Sequence, residues 1–591
     1  MSRTRAQPGT AGTAPATAGG RDVALSVHEI DRILTAPGER FEIETLDIAG
    51  IATRVWKHAP NSLGDLLDDG AEIGGDRDFL VLDTERLTHR EHRQQALRLA
   101  TALVNEHGVR KGDRVAIAMR NVPEWSIAFF AATYAGAIAV ALNAFWTGAE
   151  LAFGIEDCNP KVLIADGERF ERLDGHEAAL DGVVLIGTRL DDRKTDLPLR
   201  AGIVPFDSLL GFEAERPSVR LEPEDLATIL YTSGTTSHPK GVLGTHRNIC
   251  TNVLSMEFVI ARGMLRAGVK PPLPALPPSV ILVPVPLFHG TGLHSNLVAQ
   301  AWFGGTVVLM RRWNPEAGLD LVERERITGL SGVPTMAWEL VNAPSAPHRD
   351  LSSLRSLGGG GAAAPPELIH RIKALLPSCG TGTGYGMTES SSLTASIGGA
   401  DYAARPRSVG VPVPVVDVRI VGDESVDVAP GEVGEIWMAG VPIVPGYWNR
   451  PDATEETFGG GWLRSGDLGR IDDEGFLYIV DRAKDMVIRG GENISSLEVE
   501  AALFDNPAVL EAAVFAVPHD ALSEEVGAVV RLTEDASVTI DDLRAHAAER
   551  LAAFKVPAHL WLTVEPFPLG PTGKVQKREL KARYVTAREE Q

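Results

Sequence analysis

Cysteine is nearly absent from this sequence. Three residues, Cys158, Cys250 and Cys379, are scattered through a chain of 591. That excludes a disulfide framework and gives no paired-cysteine zinc spacing. Each thiol reads as buried packing rather than as a nucleophile. The scarcity suits a reducing compartment, so a cytoplasmic location is expected. Positive charge is short as well: 57 Lys and Arg stand against 79 Asp and Glu, a net charge of −22. So acidic a surface disfavours a nucleic-acid partner, because phosphate contacts need clustered cations. It equally disfavours adsorption on anionic membranes. The most membrane-like stretch, Ser126 to Leu142, falls short of the roughly 20 apolar residues of a spanning helix. It reads instead as a buried helix running into a strand. The opening residues are rich in Ala, Thr, Gly and Pro and have no apolar core. They read as a disordered tail over 1–25, not as a signal peptide.

What is present is an ordinary soluble composition, 44% hydrophobic and 23% charged, in a chain long enough for more than one domain. Helical periodicity over 86–107 gives way to the apolar run in "GVRKGDRVAIAM". Helix and strand then alternate through "EWSIAFFAATYAGA", "IAVALN", "PKVLIADG", "DGVVLIG", "LATILYT", "SVILVPVPLFH" and "GTVVLMRRW". Such alternation predicts α/β layers with mostly parallel sheets. After about residue 410 short strands and turns take over, in "DVRIV", "GEIWMAG" and "GFLYIVDR". From 496 the pattern is helix, strand, and an amphipathic helix in "IDDLRAHAAERLAAFKVP" that is expected to end at Pro557. The fold class is therefore α/β: a large multi-layer N-terminal domain and a small α+β C-terminal domain.

The stretch "YTSGTTSHPKGV" (231–242) follows an apolar strand. Thr232, Ser233, Thr235 and Thr236 offer hydroxyls and backbone N–H groups, Gly234 and Gly241 let the chain turn, and Lys240 adds positive charge. A strand, a donor-rich loop and a lysine can surround a polyphosphate. It is not G-x-x-x-x-G-K-[ST]. The same composition would also serve in a surface turn, so the rest of the chain must decide.

Four further segments bear on the choice: "SLGGGGAAAPPEL" (356–368), "TGTGYGMTES" (381–390), "WLRSGDLGRIDDEGFLYIVDRAKDMVIRGGENISSLEVE" (462–500) and "PLGPTGKVQKREL" (568–580). Singly each has a bland reading, as flexible linker, helix start, turn aspartate or solvated lysine. Together and in this order they resemble the adenylate-forming superfamily of acyl-CoA synthetases, firefly-type luciferases and peptide-synthetase adenylation domains. The resemblance covers all but the first fifty or so residues.

The resemblance implies a set of roles. The 231–242 loop would wrap the β- and γ-phosphates of ATP, although Ser237 stands where relatives carry Gly. Gly360, Gly361 and Ala362 would line the adenine and the floor of the acyl pocket. Tyr385 would stack on adenine, Thr388 would bond the α-phosphate, and Glu389 would ligate Mg²⁺, as a hard cation needs carboxylate oxygen. Asp467 would accept from the ribose hydroxyls, with Arg482 reaching the same nucleotide. Lys484 would be the hinge, which places the domains at 26–481 and 485–591 with 482–484 between them. Gly490 and Gly491 would let the pantetheine arm of coenzyme A pass. Ser496 replaces a proline common in relatives, with little obvious consequence. Lys574 would contact the carboxylate and α-phosphate during adenylation, neutralising charge where two anions meet. His289, in "PLFHGTGLH", would be a gate or pocket wall and not a base; His294, five residues on, has the wrong spacing for a metal pair.

The implied function is an AMP-forming acid–thiol ligase using ATP, Mg²⁺ and coenzyme A. The small side chains of 358–364 suggest a medium- or long-chain fatty acid, with an aryl or bulky cyclic acid as runner-up. Transfer to a carrier protein is a rival, although no insertion marks the 484 junction. A luciferase-like oxygenase is another rival, and a homodimer stays open. Intact Glu389, Asp467 and Lys574 disfavour a pseudoenzyme.

Overall fold

Val115-Ala-Ile-Ala118 and Val162-Leu-Ile-Ala165 show no alternation of polar and apolar residues, which suits strands covered on both faces. In the computed structural model both lie inside a seven-stranded sheet. The structure describes residues 25–193, 201–232, 239–273, 276–360, 366–422, 425–533, 536–570 and 573–586. Arg114–Ala118 pairs in parallel with Ile138–Ala141 on one side and Val162–Asp166 on the other. Val184–Thr188 and Val204–Pro205 extend the sheet outward, and Leu226–Thr232 runs parallel beyond Ile138–Ala141. The edge strand Lys240–Thr245 is antiparallel and forms a hairpin with Leu226–Thr232.

A second sheet has 13 strands. Its parallel half runs, in spatial order, Asp78–Leu82, Thr306–Leu309, Val280–Val283, Gly329–Gly332, Ser356–Gly360 and Gly380–Tyr385. It then continues without a break into antiparallel strands Ala395–Gly398, Ser408–Pro412, Leu477–Arg482, Leu463–Ile471, Gly434–Gly440 and Val416–Val421. The short-strand region after 410 is thus an extension of the α/β sheet. The main core lies between the two large sheets and takes Val115 and Ile117 from one, Val283 and Leu309 from the other, and Trp125 and Phe130 from the helix Pro123–Tyr134. That helix is apolar on every side and runs into Ile138–Ala141, as its composition predicts. Among the described residues no helix is long and apolar enough to cross a membrane. The three cysteines are free and buried; burial pushes the Cys158 thiol up to about 12, which leaves it inert at neutral pH.

The small C-terminal domain has a five-stranded sheet of its own and a separate core that includes Val487, Leu503, Val514, Val530 and Leu543. Its second helix covers Ile540–Ala548 and stops well short of Pro557. Leu551 turns into the domain core and a short 3-10 turn, Ala553–Lys555, carries Lys555 to an ion pair with Glu498 at 2.7 Å. Those contacts outweigh the helical periodicity of the segment.

Candidate active site

The hairpin places Lys240 opposite Thr232, where the two strands close on the loop between them. Ser233, Gly234, Thr235 and Thr236 lie outside the described residues, as does Ser237. The Lys240 strand is clamped by the segment after it in space: Trp448 N donates to Gly241 O at 2.7 Å and Leu243 N to Gly446 O at 3.0 Å. The clamp brings up Tyr447, whose ring centre lies 4.9 Å from Lys240 Nζ. Tyr447 Oη donates to Glu389 Oε1 at 2.9 Å, and Val444 N donates to Glu389 O at 3.0 Å. Glu389 is buried. Burial raises its carboxyl above the usual carboxylate range, opposed by the Tyr447 bond and by Lys240 and Arg482. Nothing in the spacing of charges or motifs singles out Tyr447, and sequence reasoning missed it.

Glu389 sits on a 3-10 turn, Thr388–Ser390, that puts half-buried Thr388 beside it. The chain then folds back sharply. Ser391 and Ser392 hold φ of +54° and +103°, and a Cβ on Gly386 would fall 1.9 Å from Ser392 O. Glycine at 386 is therefore required, and the serines carry about 1–3 kcal/mol of backbone strain each. Strain of this kind persists where surrounding structure over-determines it, here directly after Glu389.

The carboxylate of Asp467 is the second buried acid. Its strand pairs it with Arg482 directly across the ladder, and their side chains meet at 3.2 Å. Tyr385 Oη donates to the other carboxylate oxygen at 2.8 Å. Burial raises the Asp467 carboxyl, opposed by Arg482, Tyr385, Lys574 and Lys484. Lys574 arrives from the C-terminal domain. Gly573, at φ +80°, accepts from Thr335 Oγ1 at 3.4 Å and docks the loop on the large domain. Burial pushes the Lys574 ammonium down to about 8; Arg482 and Lys484 repel it, while Asp467 and Glu389 attract it. Lys484 is exposed, and its ammonium too is lowered by desolvation and by Arg482. The structure thus brings Lys240, Glu389, Tyr385, Asp467, Arg482, Lys484 and Lys574 to one site.

His289 borders the same site. Burial, with Lys574 alongside, pushes its imidazole down to about 3, so the ring is neutral at ordinary pH. Its Nδ1 accepts from Thr291 N at 3.3 Å. Thr291–Val298 winds as a π-helix, a form found mainly as short turns at functional sites. It carries His294, whose imidazole is pushed down to about 4 by burial against a hydrogen bond with the Ser391 backbone, and Ser295, whose Oγ lies 2.6 Å from Ser392 Oγ. The Ser295–Ser392 contact ties the helix after His289 to the segment after Glu389; Gly360 ends the strand Ser356–Gly360. Gly361 and Ala362 lie outside the described residues.

Gly490 and Gly491 are not at the site. They form the exposed turn between Val487–Arg489 and Glu492–Ile494, with φ of +59° and +92°. Ser496 is far from inconsequential. It is fully buried; its Oγ donates to Asp481 Oδ1 at 3.2 Å and accepts from Lys577 Nζ at 3.0 Å. A proline there would lose both bonds and the Ser496 N–H that Asp481 also receives.

Divalent-cation chemistry fits this donor set. A buried carboxylate with one oxygen held by Tyr447 suits a magnesium ion that shares its ligands with substrate phosphates. Among the described residues no group of three or more His, Cys, Asp or Glu forms an all-protein metal cage.

Two acids, two lysines and an arginine converging beside a hairpin loop, with a lysine supplied by a separate small domain, define an enzyme that manages several phosphate charges at once. The chain belongs to the AMP-binding enzyme family, which matches residues 67–448, and the family's C-terminal domain matches 498–574. It is 37% identical to a feruloyl-CoA synthase of Amycolatopsis sp over 501 residues, 84% of this chain and 94% of that one. It is 32% identical to a long-chain-fatty-acid–CoA ligase of Bacillus subtilis over 88% of this chain and 94% of that one. The anthranilate CoA ligase AuaEII in complex with anthranoyl-AMP shares the fold, with TM-score 0.79, 24% identity, and coverage of 90% and 98%. The protein is an AMP-forming acid–thiol ligase of the acyl-CoA synthetase kind, and it draws on ATP, Mg²⁺ and coenzyme A.

Proposed function

We propose that the acid activated here is an aryl acid of the hydroxycinnamate type, and that coenzyme A receives it. The polar contact of Ser295 with Ser392, at 2.6 Å, with buried His294 on the same helix, carries this reading. Hydroxyls and an imidazole suit a ring bearing hydroxyl or methoxy groups better than an alkyl chain. The feruloyl-CoA synthase relative supports the same class. A medium- or long-chain fatty acid, suggested by the glycine run, is the second reading, supported by the 32% identical long-chain-fatty-acid–CoA ligase.

Catalysis on this reading has two steps. A carboxylate oxygen attacks the α-phosphorus of ATP, the bond to the bridging oxygen breaks, and pyrophosphate leaves. Magnesium, when bound, neutralises charge on the phosphate oxygens. Glu389 is its proposed ligand, oriented by Tyr447. Lys240 and the loop after Thr232 face the departing phosphates, Thr388 the α-phosphate, and Asp467 with Arg482 the ribose. Lys574 lies where carboxylate and α-phosphate meet and offsets their repulsion. In the second step the thiol sulfur, its proton lost, attacks the acyl carbonyl and AMP leaves. No protein nucleophile is needed. The Lys574 loop must withdraw first, by rotation about 482–484, to bring the Gly490–Gly491 turn to the site.

Pyrophosphate release and thioester formation, measured with ferulate, 4-coumarate, cinnamate, acetate and C8 to C16 fatty acids, test the reading. kcat/KM should be highest for the hydroxylated aryl acids. A profile rising with alkyl chain length and lacking ferulate activity would establish the second reading instead.

A further inference from the structure

Asp157 stands one residue from the end of the helix Gly148–Cys158. That end of a helix carries partial negative charge and disfavours a carboxylate. Asp157 is held there by partners from outside the helix, and its side chain is only 9% exposed. Its Oδ2 accepts from Tyr231 Oη at 2.7 Å and its Oδ1 from Arg450 Nη2 at 3.1 Å. Its carbonyl accepts from Trp448 Nε1 at 3.0 Å and from Asn449 Nδ2 at 3.1 Å. Asn449 holds φ of +52°, which asparagine tolerates better than most residues. Arg114 closes the junction: its Nε donates to Cys158 O at 2.9 Å, and its guanidinium lies 5.6 Å from the Trp448 ring centre.

These partners come from both halves of the site. Tyr231 pairs with Gly241 across the hairpin, one step before Thr232 pairs with Lys240. Trp448, Asn449 and Arg450 follow Tyr447, which bonds Glu389. The other end of that segment is tied by a second buried polar side chain. Asn248 Nδ2 donates to Val441 O at 2.7 Å and to Ile443 O at 3.2 Å. Between the two ties fall the main-chain bonds to Glu389, Leu243 and Gly241. Any residue at 157 would present the carbonyl. Only the carboxylate joins Tyr231 to Arg450, and with them the Lys240 hairpin to the segment that holds Glu389.

We propose that Asp157 is a positioning residue for ATP with its magnesium: it sets the spacing between the Lys240 hairpin and the Tyr447–Glu389 pair without touching either ligand. This rests on the reading of Lys240 as a phosphate contact and of Glu389 as the magnesium ligand, and adds the group that fixes their separation.

Calorimetric titration of the full-length enzyme with α,β-methylene-ATP, with and without Mg²⁺, tests this alongside KM for each substrate. Asp157→Ala should raise the Kd in Mg²⁺ about tenfold, since two hydrogen bonds to a charged group are lost. KM for ATP should rise with it, while KM for the carboxylic acid and for coenzyme A should not move. Asp157→Asn, which keeps an acceptor, should recover most of the affinity. Tyr231→Phe should raise the Kd about fivefold, and decides the matter if the alanine variant does not fold. Asp157→Ala combined with Tyr447→Phe should lose less than the sum of the single losses, because both act on Glu389. An unchanged Kd in Asp157→Ala and Tyr231→Phe would overturn the proposal. Equal losses for ATP, acid and coenzyme A would overturn it too, by showing a general structural role. If Glu389→Gln left the Mg²⁺ requirement unchanged while Asp157→Ala still weakened ATP, the ligand assignment would fall and Asp157 would stand.

Discussion

Tyr447 donates its phenolic hydrogen to Glu389 across 2.9 Å, and the Lys240 ammonium lies 4.9 Å from the centre of the same ring. One tyrosine therefore couples Lys240 to the buried acid. Glu389 must be ionised to bind a cation, and burial already raises its carboxyl. Tyr447→Phe removes a donor to the charged form and raises it further. Activity is lost as pH falls through that value, so the acid limb of the adenylation profile should move up by about one unit, worth about 1.4 kcal/mol. Pyrophosphate release from pH 5.5 to 8.5 checks this, and a profile unmoved by the substitution would refute it. Glu389→Gln should lose adenylation about 100-fold or more, with a raised Mg²⁺ requirement.

Lys574 lies beside Arg482, Asp467 and Glu389 and burial holds its ammonium at about 8; on the proposed mechanism it offsets the repulsion of the two reacting anions. Lys574→Ala should lose about 100-fold or more in acyl-adenylate formation yet still convert supplied acyl-AMP and coenzyme A to thioester. The charged form is the working one, so adenylation by the wild type should decline above pH 8. Lys574→Arg should flatten that decline, whatever its absolute rate. Equal loss of both half-reactions in the alanine variant would show that the lysine is structural.

Ser295 and Ser392 share a hydrogen bond of 2.6 Å and, on the proposed reading, border the acyl pocket. Ser392→Ala should lower kcat/KM for ferulate by about 2- to 10-fold, the worth of one neutral hydrogen bond. Cinnamate, with no ring hydroxyl, should be spared. An equal effect on the two acids would place the pair outside the acyl pocket.

Lys577 and Glu500 pair at 2.6 Å within the small domain, and Lys577 also reaches Ser496. Glu500→Ala should cost about 3 kcal/mol in denaturant unfolding, at the low end for an ion pair in the interior because Lys577 stays 24% exposed. Replacing both residues, as Lys577→Met with Glu500→Leu, should cost far less. Equal losses in the single and double variants would mean that the charge pair is irrelevant.

Sequence alone determined the elements whose signal is local. Buried strands such as Leu226–Thr232 and the all-round apolar helix Pro123–Tyr134 were legible because apolar runs, glycines and prolines act over a few residues. Asp467, Arg482, Glu389 and Lys574 were singled out because several motifs fall in one order, although no spacing showed that they meet. What only the tertiary structure decided depends on contacts between distant residues. Tyr447 reaches Glu389 across 58 positions because the 444–448 segment clamps the edge strand. The antiparallel strands after 410 extend the parallel sheet through the neighbouring pair Gly380–Tyr385 and Ala395–Gly398. Ser496 matters because Asp481 and Lys577, on either side of it in sequence, close on it in space. Phe145 faces solvent because two arginines hold the carbonyls beside it. A residue's type and its near neighbours fix what it can do, but which buried group it must satisfy is set by the packing of the whole chain.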